Sequence, residues 1–349
     1  MIRVLVVEDS PVIREFLVRL LSADPQISVI GTANNGEEAL QAVTNWRPDV
    51  ITMDIHMPRM NGIEATRQIM ETYPTPIVIV SGSQDPKEVE TTFHAMEAGA
   101  LAILERPMGQ GHPHHLATVR ELVQTVKLMS EVKVVRRWRH TPRLTLACPI
   151  APEMNLRKAT ENIRLVAVGG STGGPPVIQT ILSDLSKDFP VPILIVQHMA
   201  AGFIPGFVEW LAQQSDLSIH IATHGEQTLP GHVYIAPNGF QMKVDRGGRI
   251  LLSKDEPENG HYPSVSYLFR SVVSVYGRNS VGVLLTGMGK DGAEELKLMK
   301  NEGAVTIAQD RESSVVYGMP GEAVRLGAAT YVLSPERIAA ALTSLVKRP

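Results

Sequence analysis

Short apolar runs alternate with stretches of helical period along most of this chain, and that alternation limits the fold more than any other feature. "IRVLVVED", "DVITMD", "PIVIVSG" and "ALAILE" read as buried strands, with "ISVIGTA" a weaker fifth. Between them, "PVIREFLVRLLSAD", "GEEALQAVTNW", "GIEATRQIMETY" and "PKEVETTFHAMEAG" carry apolar residues at three- and four-residue spacing, and "ATVRELVQTVKLM" supplies a fifth helix. Strands alternating with helices predict a doubly wound parallel sheet over residues 1–127. The pattern returns over residues 163–349, where "IRLVAVG", "VPILIVQ", "NSVGVLLTG", "AVTIAQD" and "ATYVLS" are the strand candidates. There "HVYIAPNGFQMKVDRGGRILLS" reads as two strands joined at "RGG", an antiparallel hairpin beside a second, mainly parallel sheet. Residues 128–162 hold no periodicity past a helical start. They contain prolines, a basic run and the lone cysteine, Cys148, and read as a linker.

Composition narrows the function classes. Aromatics make up only 5% of the chain, so the cores are expected to be aliphatic, as in sheets covered on both faces. The formal net charge of −3 supplies no global positive field for nucleic acid or an anionic membrane. One cysteine excludes an internal disulfide and fits a reducing compartment. No apolar stretch approaches the roughly 20 residues that span a bilayer, and "MIRVLVVEDS" lacks a signal-peptide pattern. A cytoplasmic protein is expected.

In doubly wound sheets, chemistry collects beyond the carboxyl ends of the strands. In the first domain those ends carry Glu8 and Asp9, then Asp54, Ser81, and Arg106 followed by Pro107. If the first and third strands are neighbours, three carboxyls converge. Unpaired, they repel, and an oxygen-ligand site of this kind suits magnesium. Any one of these acids alone fits a helix cap equally well. "VVEDSPVIREFL", "DVITMDIHMPRMNGIEATRQI", "PIVIVSGS" and "AGALAILERP" together resemble the response-regulator receiver domain, a flavodoxin-like fold. The resemblance implies that Asp54 accepts a phosphoryl group from a histidine kinase, that Glu8, Asp9 and Asp54 hold magnesium, and that Ser81 is the switch hydroxyl. Receivers usually carry Lys-Pro at the end of the fifth strand. Here Arg106 stands in place of the lysine, and a planar guanidinium is not equivalent to a compact ammonium.

In the second domain, "GGSTG" fits the Gly-x-Ser-x-Gly nucleophile elbow, centred on Ser171 between a strand and a helix. The same loop also suits a helix cap or a phosphate cradle, although it matches neither Gly-x-Gly-x-x-Gly nor the P-loop. His198 follows the next apolar strand, and Asp291 lies in a glycine loop after a third. On parallel neighbouring strands all three reach one edge, with roles open to them as nucleophile, base and orienting acid. His198 also fits a buried strand-end histidine, and Asp291 an N-cap for "GAEELKLMK". The glycine loop can turn a further amide, such as that of Met288, towards an oxyanion. Ser171 is expected to start a helix, whose free N–H groups favour negative charge.

"AVGGSTGGP", "LIVQHM", "LPGHVYIAPNGFQM", "PSV", "LFRSV", "VGVLLTGMGKDGA" and "TIAQDRESSVVYGMP" together resemble the catalytic domain of the chemotaxis protein-glutamate methylesterase (CheB) family. That implies a Rossmann-like methylesterase domain with the triad Ser171, His198 and Asp291, and with Thr172 and Met288 on the oxyanion side. It requires no cofactor for the ester chemistry. The implied substrates are methyl-glutamate and certain glutamine side chains of chemoreceptors, with the phosphorylated receiver releasing an otherwise shielded esterase. One position departs: Ser266 stands where the family usually has an acid after "PSV". A receiver-linked transcription factor is the rival reading, but the second half has glycine-loop α/β character rather than a basic recognition helix. A degenerate hydrolase that acts only as a scaffold is a third reading, set against by the intact triad residues.

Overall fold

The computed structural model of the protein describes residues 1–82, 86–134, 162–200, 202–258 and 260–346. The chain divides into two compact units, Met1–Pro149 and Ile150–Pro349. Most of the expected linker, with Cys148, lies outside the described residues.

The first unit holds β1 (Ile2–Val7), α1 (Pro11–Ser22), β2 (Ile27–Ala33), α2 (Gly36–Trp46), β3 (Val50–Met53), α3 (Gly62–Thr72), β4 (Ile77–Ser81), α4 (Pro86–Ala98), β5 (Ala102–Glu105) and α5 (His115–Ser130). The strands form one parallel sheet in the order β2-β1-β3-β4-β5. β3 and β4 are buried at every position, which is why they read as unbroken apolar runs rather than alternating ones. Helix starts follow local chemistry. Asn35 Oδ1 accepts the Glu38 N–H at 3.0 Å, and Asn61 Oδ1 accepts that of Glu64 at 2.9 Å. β1 and β3 are neighbours, as expected, and the Asp54 N–H donates to the Val7 carbonyl at 2.9 Å. That bond ties the two strand ends together where the acids stand.

The second unit holds β6 (Leu165–Gly170), α6 (Gly174–Ser183), β7 (Ile193–Gln197), α7 (Phe203–Ala212), β8 (Ser218–Ile221), β9 (His232–Ile235), β10 (Gln241–Val244), β11 (Ile250–Ser253), α8 (Val265–Tyr276), β12 (Ser280–Leu284), α9 (Ala293–Asn301), β13 (Val305–Gln309), α10 (Met319–Arg325), β14 (Tyr331–Leu333) and α11 (Pro335–Val346). Seven strands pair in parallel in the order β14-β13-β12-β6-β7-β9-β8. The chain winds outward from β6 in one direction through β7 and later returns to its other side at β12. The carboxyl end of β6 is therefore a topological switch point, where α/β sheets open a crevice.

The expected hairpin exists but is shorter than its sequence stretch. β10 and β11 pair antiparallel as a separate two-stranded sheet, with the Gly248 N–H bonded to the Asp245 carbonyl at 3.0 Å in the turn. His232–Ile235 is not part of it and pairs in parallel with β7 and β8. The break falls at Pro237-Asn238-Gly239, where proline lacks a ladder donor and Gly239 has φ +75°. Ser171 does not start a helix. α6 begins at Gly174, after Gly173 turns the backbone at φ +77°.

Candidate active site

The three residues expected to act together lie at the ends of adjacent strands. Ser171 follows β6, His198 follows β7, and Asp291 stands in the loop after β12, with β6 between the other two strands. Backbone bonds lock these ends. The His198 N–H donates to the Gly170 carbonyl at 2.9 Å, and the Ser171 N–H donates to the Thr286 carbonyl at 3.0 Å. Gly287 packs against Ser171 so closely that a Cβ there would fall 2.6 Å from Ser171 Cβ, so only glycine fits.

His198 and Asp291 are directly joined, with Nε2 of His198 3.0 Å from Asp291 Oδ2. The carboxylate is 1% exposed and saturated with donors. The Ser264 hydroxyl donates to Oδ1 at 2.9 Å, the Val265 N–H to Oδ2 at 2.7 Å, and the Ser266 N–H to Oδ1 at 3.1 Å. Burial alone would raise the Asp291 carboxyl. His198, the Ser266 side chain and the Val265 amide outweigh it and hold the group well below the usual carboxylate range. Asp291 thus sits at the N-terminus of α8, whose first amides it accepts. It does not cap α9, where Gly292 is the N-cap.

This wiring fixes the tautomer. With Nε2–H donating to Asp291, Nδ1 carries the lone pair. Nδ1 is buried without a hydrogen-bond partner among the described residues. No hydrogen bond joins it to the Ser171 hydroxyl here, and such contacts often tighten only around substrate. The Thr172 and Met288 backbone N–H groups likewise engage no acceptor among the described residues. Met288 is 41% exposed, and the Thr172 carbonyl accepts the Thr286 hydroxyl at 3.0 Å.

Three further residues belong to the site and carried no signal as site residues in the sequence. Gln197, 1% exposed, donates from Nε2 to the carbonyls of Ser171 at 2.8 Å and His198 at 2.9 Å, so one carboxamide spans both loops. The available clue was a polar residue closing an apolar strand. Ser264 caps α8 and bonds Asp291. His261 stacks on His198, centroids 3.8 Å apart and planes 7° from parallel. Ser266 also has a definite place, its hydroxyl accepting the Gly292 N–H at 2.9 Å.

His261 carries a stability prediction. Burial, and then the neighbouring His198, lower its pKa from 6.5 to about 4, against the opposing charge of Asp291. Between those values the unfolded chain binds a proton that the folded chain does not. Stability is therefore lost as pH falls from about 6.5 towards 4. The upper limit is about 3 kcal/mol, reduced because the ring is only partly buried. His261→Phe keeps a stacking ring and removes the titration. Denaturant midpoints at pH 7 and pH 4.5 should fall further in the natural protein than in the variant, and equal losses would exclude this role.

In the first unit, Glu8, Asp9 and Asp54 each place one carboxylate oxygen within 4.8 Å of the others. Glu8 and Asp54 are buried and Asp9 is exposed. Burial and the nearby Asp54 raise Glu8 to about 7, while Arg106 opposes them. Burial also raises Asp54, against the Ile55 amide and Arg106. The Arg106 guanidinium reaches the cluster, with Nη2 3.4 Å from Glu8 Oε2 and 3.9 Å from Asp54 Oδ1. Ser81 is buried at the end of β4, and its carbonyl accepts the Arg106 N–H at 2.8 Å. Converging oxygens with an excess of negative charge fit a hard divalent cation.

Comparison with known proteins agrees in both units. The family model for the CheB methylesterase matches residues 166–342, and that for the response regulator receiver domain matches residues 4–117. A protein-glutamate methylesterase/protein-glutamine glutaminase of Nitrosospira multiformis is 63% identical over 348 residues, covering 99% of this chain and 97% of that one. The protein of the same name, numbered 1, from Syntrophus aciditrophicus is 57% identical over 345 residues, covering 99% and 98%. The crystal structure of the Thermotoga maritima CheB methylesterase catalytic domain matches with a TM-score of 0.51 at 38% identity. It covers 52% of this chain and 98% of that one.

Proposed function

Because this chain belongs to the CheB methylesterase family and carries a response-regulator receiver domain before its catalytic part, we propose that it is a phosphorylation-regulated serine hydrolase acting on chemoreceptors. It removes methyl esters from glutamate side chains and deamidates certain glutamines. Residues 1–127 are the receiver, 128–162 the linker and 163–349 the esterase. The observation that carries the reading is the His198–Asp291 bond at the switch-point edge where Ser171 also stands.

Asp291, held anionic by the end of α8, orients His198 through Nε2 and stabilises its charged form. Nδ1 is the base: it takes the Ser171 proton as Oγ attacks the ester carbonyl. The unengaged amides of Thr172 and Met288 support a role as the oxyanion hole. His198 then returns the proton to the departing methoxide, and methanol leaves. Water, activated by the same nitrogen, frees the carboxylate from Ser171. With glutamine the leaving group is ammonia. Incubation with methylated receptor fragments, with methanol release measured, tests the reading.

In the receiver, Asp54 accepts the phosphoryl group from a histidine kinase, and Ser81 is the switch hydroxyl. Glu8, Asp9 and Asp54 would hold magnesium, which when bound offsets the charge of the incoming phosphoryl group. No helix among the described residues is long and apolar enough to cross a membrane. A cytoplasmic enzyme without nucleic-acid partners is the reading adopted.

Arg106 sets a second expected result. Its guanidinium reaches the acids but spreads its charge over a plane. Asp54 should still be phosphorylated, while activation of the esterase should be weaker, by roughly threefold, than in Arg106→Lys. Methanol release with and without phosphodonor, at matched Asp54 occupancy, measures this. Equal activation would make the guanidinium a full substitute.

A further inference from the structure

Beside the oxyanion loop lies a cleft of roughly 670 Å³ whose charged walls are Lys290, Arg311, Arg325 and Glu322. It adjoins the loop that carries Met288 and Asp291. Gly289 forms part of its lining, one residue after Met288. The Gly318 and Met319 N–H groups bond the Gly287 carbonyl at 3.2 and 2.9 Å, and Gly287 is the residue that packs on Ser171. One wall of the cleft is thus fastened to the nucleophile's own support.

The charges within it do not cancel. Arg325 is satisfied by Glu322, its Nε and Nη2 donating to the two carboxylate oxygens at 2.7 and 2.6 Å. Among the described residues, Lys290 has a loose, exposed contact of 3.9 Å with Glu294 and a weaker attraction to Glu322. Arg311 lies with its guanidinium carbon 4.7 Å from the centre of the Tyr317 ring and makes no ion pair among the described residues. Its N–H groups make no hydrogen bond among the described residues either, and a guanidinium edge of this kind can take a carboxylate at two points.

We propose that this cleft is a second binding site, in which Arg311 and Lys290 take side-chain carboxylates of the substrate segment about one helical turn from the ester held at Ser171. The proposal rests on the methylesterase reading and adds to it a preference for acidic surroundings. On a helix, side chains three and four positions apart stand on one face about 5–6 Å apart. A carboxylate there enters the cleft while the ester stays at Ser171. Ester hydrolysis and glutamine deamidation both create glutamate, so a neighbouring position already processed by the enzyme would present the same group.

The test uses the full-length protein and two helical peptides, each with one methyl-glutamate. One has glutamates three, four and seven positions away, and the other has alanines there. The natural protein should show a kcat/KM about tenfold higher for the acidic peptide at low salt, and the ratio should shrink towards one at high salt. In Arg311→Gln the ratio should fall to within about twofold of one, and Arg311→Lys should recover part of it. Comparing peptides within each protein removes any general loss of activity. Equal rates on both peptides by the natural protein, or an unchanged ratio in Arg311→Gln, would overturn the cleft while leaving the esterase intact. Methanol from neither peptide would overturn the esterase reading and the cleft together.

Discussion

Ser171→Ala is expected to lower methanol release by about 10⁴-fold or more while leaving the fold unchanged. The structural bonds of Ser171 are all backbone bonds. Its N–H donates to Thr286, and its carbonyl accepts from Gln197 at 2.8 Å and from the Gly174 N–H at 2.8 Å. Alanine keeps every one of them and loses only the hydroxyl. The remaining rate would come from the oxyanion amides and substrate positioning acting on water. The matching measurement is initial methanol release beside a thermal melt of both proteins. A variant within about tenfold of the natural rate would remove Ser171 from the mechanism.

His198→Ala should cost roughly 10⁴–10⁶-fold, and Asp291→Asn less, roughly 10³–10⁴-fold. In the proposed mechanism Asp291 acts through the His198 ring and does not touch substrate. Its amide replacement sets an –NH₂ among four donors: His198 Nε2, the Ser264 hydroxyl, and the Val265 and Ser266 amides. If that group turns to His198, the ring must accept at Nε2 and carry its proton on Nδ1, so the base is lost. If it takes the place of Oδ1, the Ser266 amide loses its acceptor and the loop loosens. If both residues serve one proton transfer, as proposed, the double variant should be no slower than His198→Ala alone within about threefold. Multiplying costs would show that they act separately. Circular dichroism on each variant separates lost chemistry from lost fold.

Much of the architecture was readable because parallel sheets leave strong traces. Strands buried on both faces, such as Val50–Met53 and Ile77–Ser81, are unbroken apolar runs. Their ends share one edge by topology, so Ser171, His198 and Asp291 could be grouped without coordinates, as could Glu8, Asp9 and Asp54. A partly exposed edge strand was harder. Ser218–Ile221 lies at the sheet edge, is only partly buried and shows little pattern. The stretch from His232 to Val244 has the composition of one long strand, and only a proline and a left-handed glycine divide it.

Side-chain partnerships between distant segments left the weakest traces. Asp291 looked suited to cap the helix that follows it, yet its donors come from the start of α8, some 25 residues earlier. His261 reaches His198 through a loop with no periodicity, held by paired backbone bonds with Glu258 at 3.1 and 2.9 Å. Arg106 could be read as a departure from the usual lysine, but its reach to Glu8 and Asp54 depends on rotamer and burial, which sequence does not encode.

The most direct measurement is methanol release by the full-length protein from receptor fragments carrying methyl-glutamate, with and without a small-molecule phosphodonor and magnesium. The expected result is ester hydrolysis that rises when Asp54 is phosphorylated and disappears in Ser171→Ala. A folded, phosphorylated protein that releases no methanol from those fragments would contradict it.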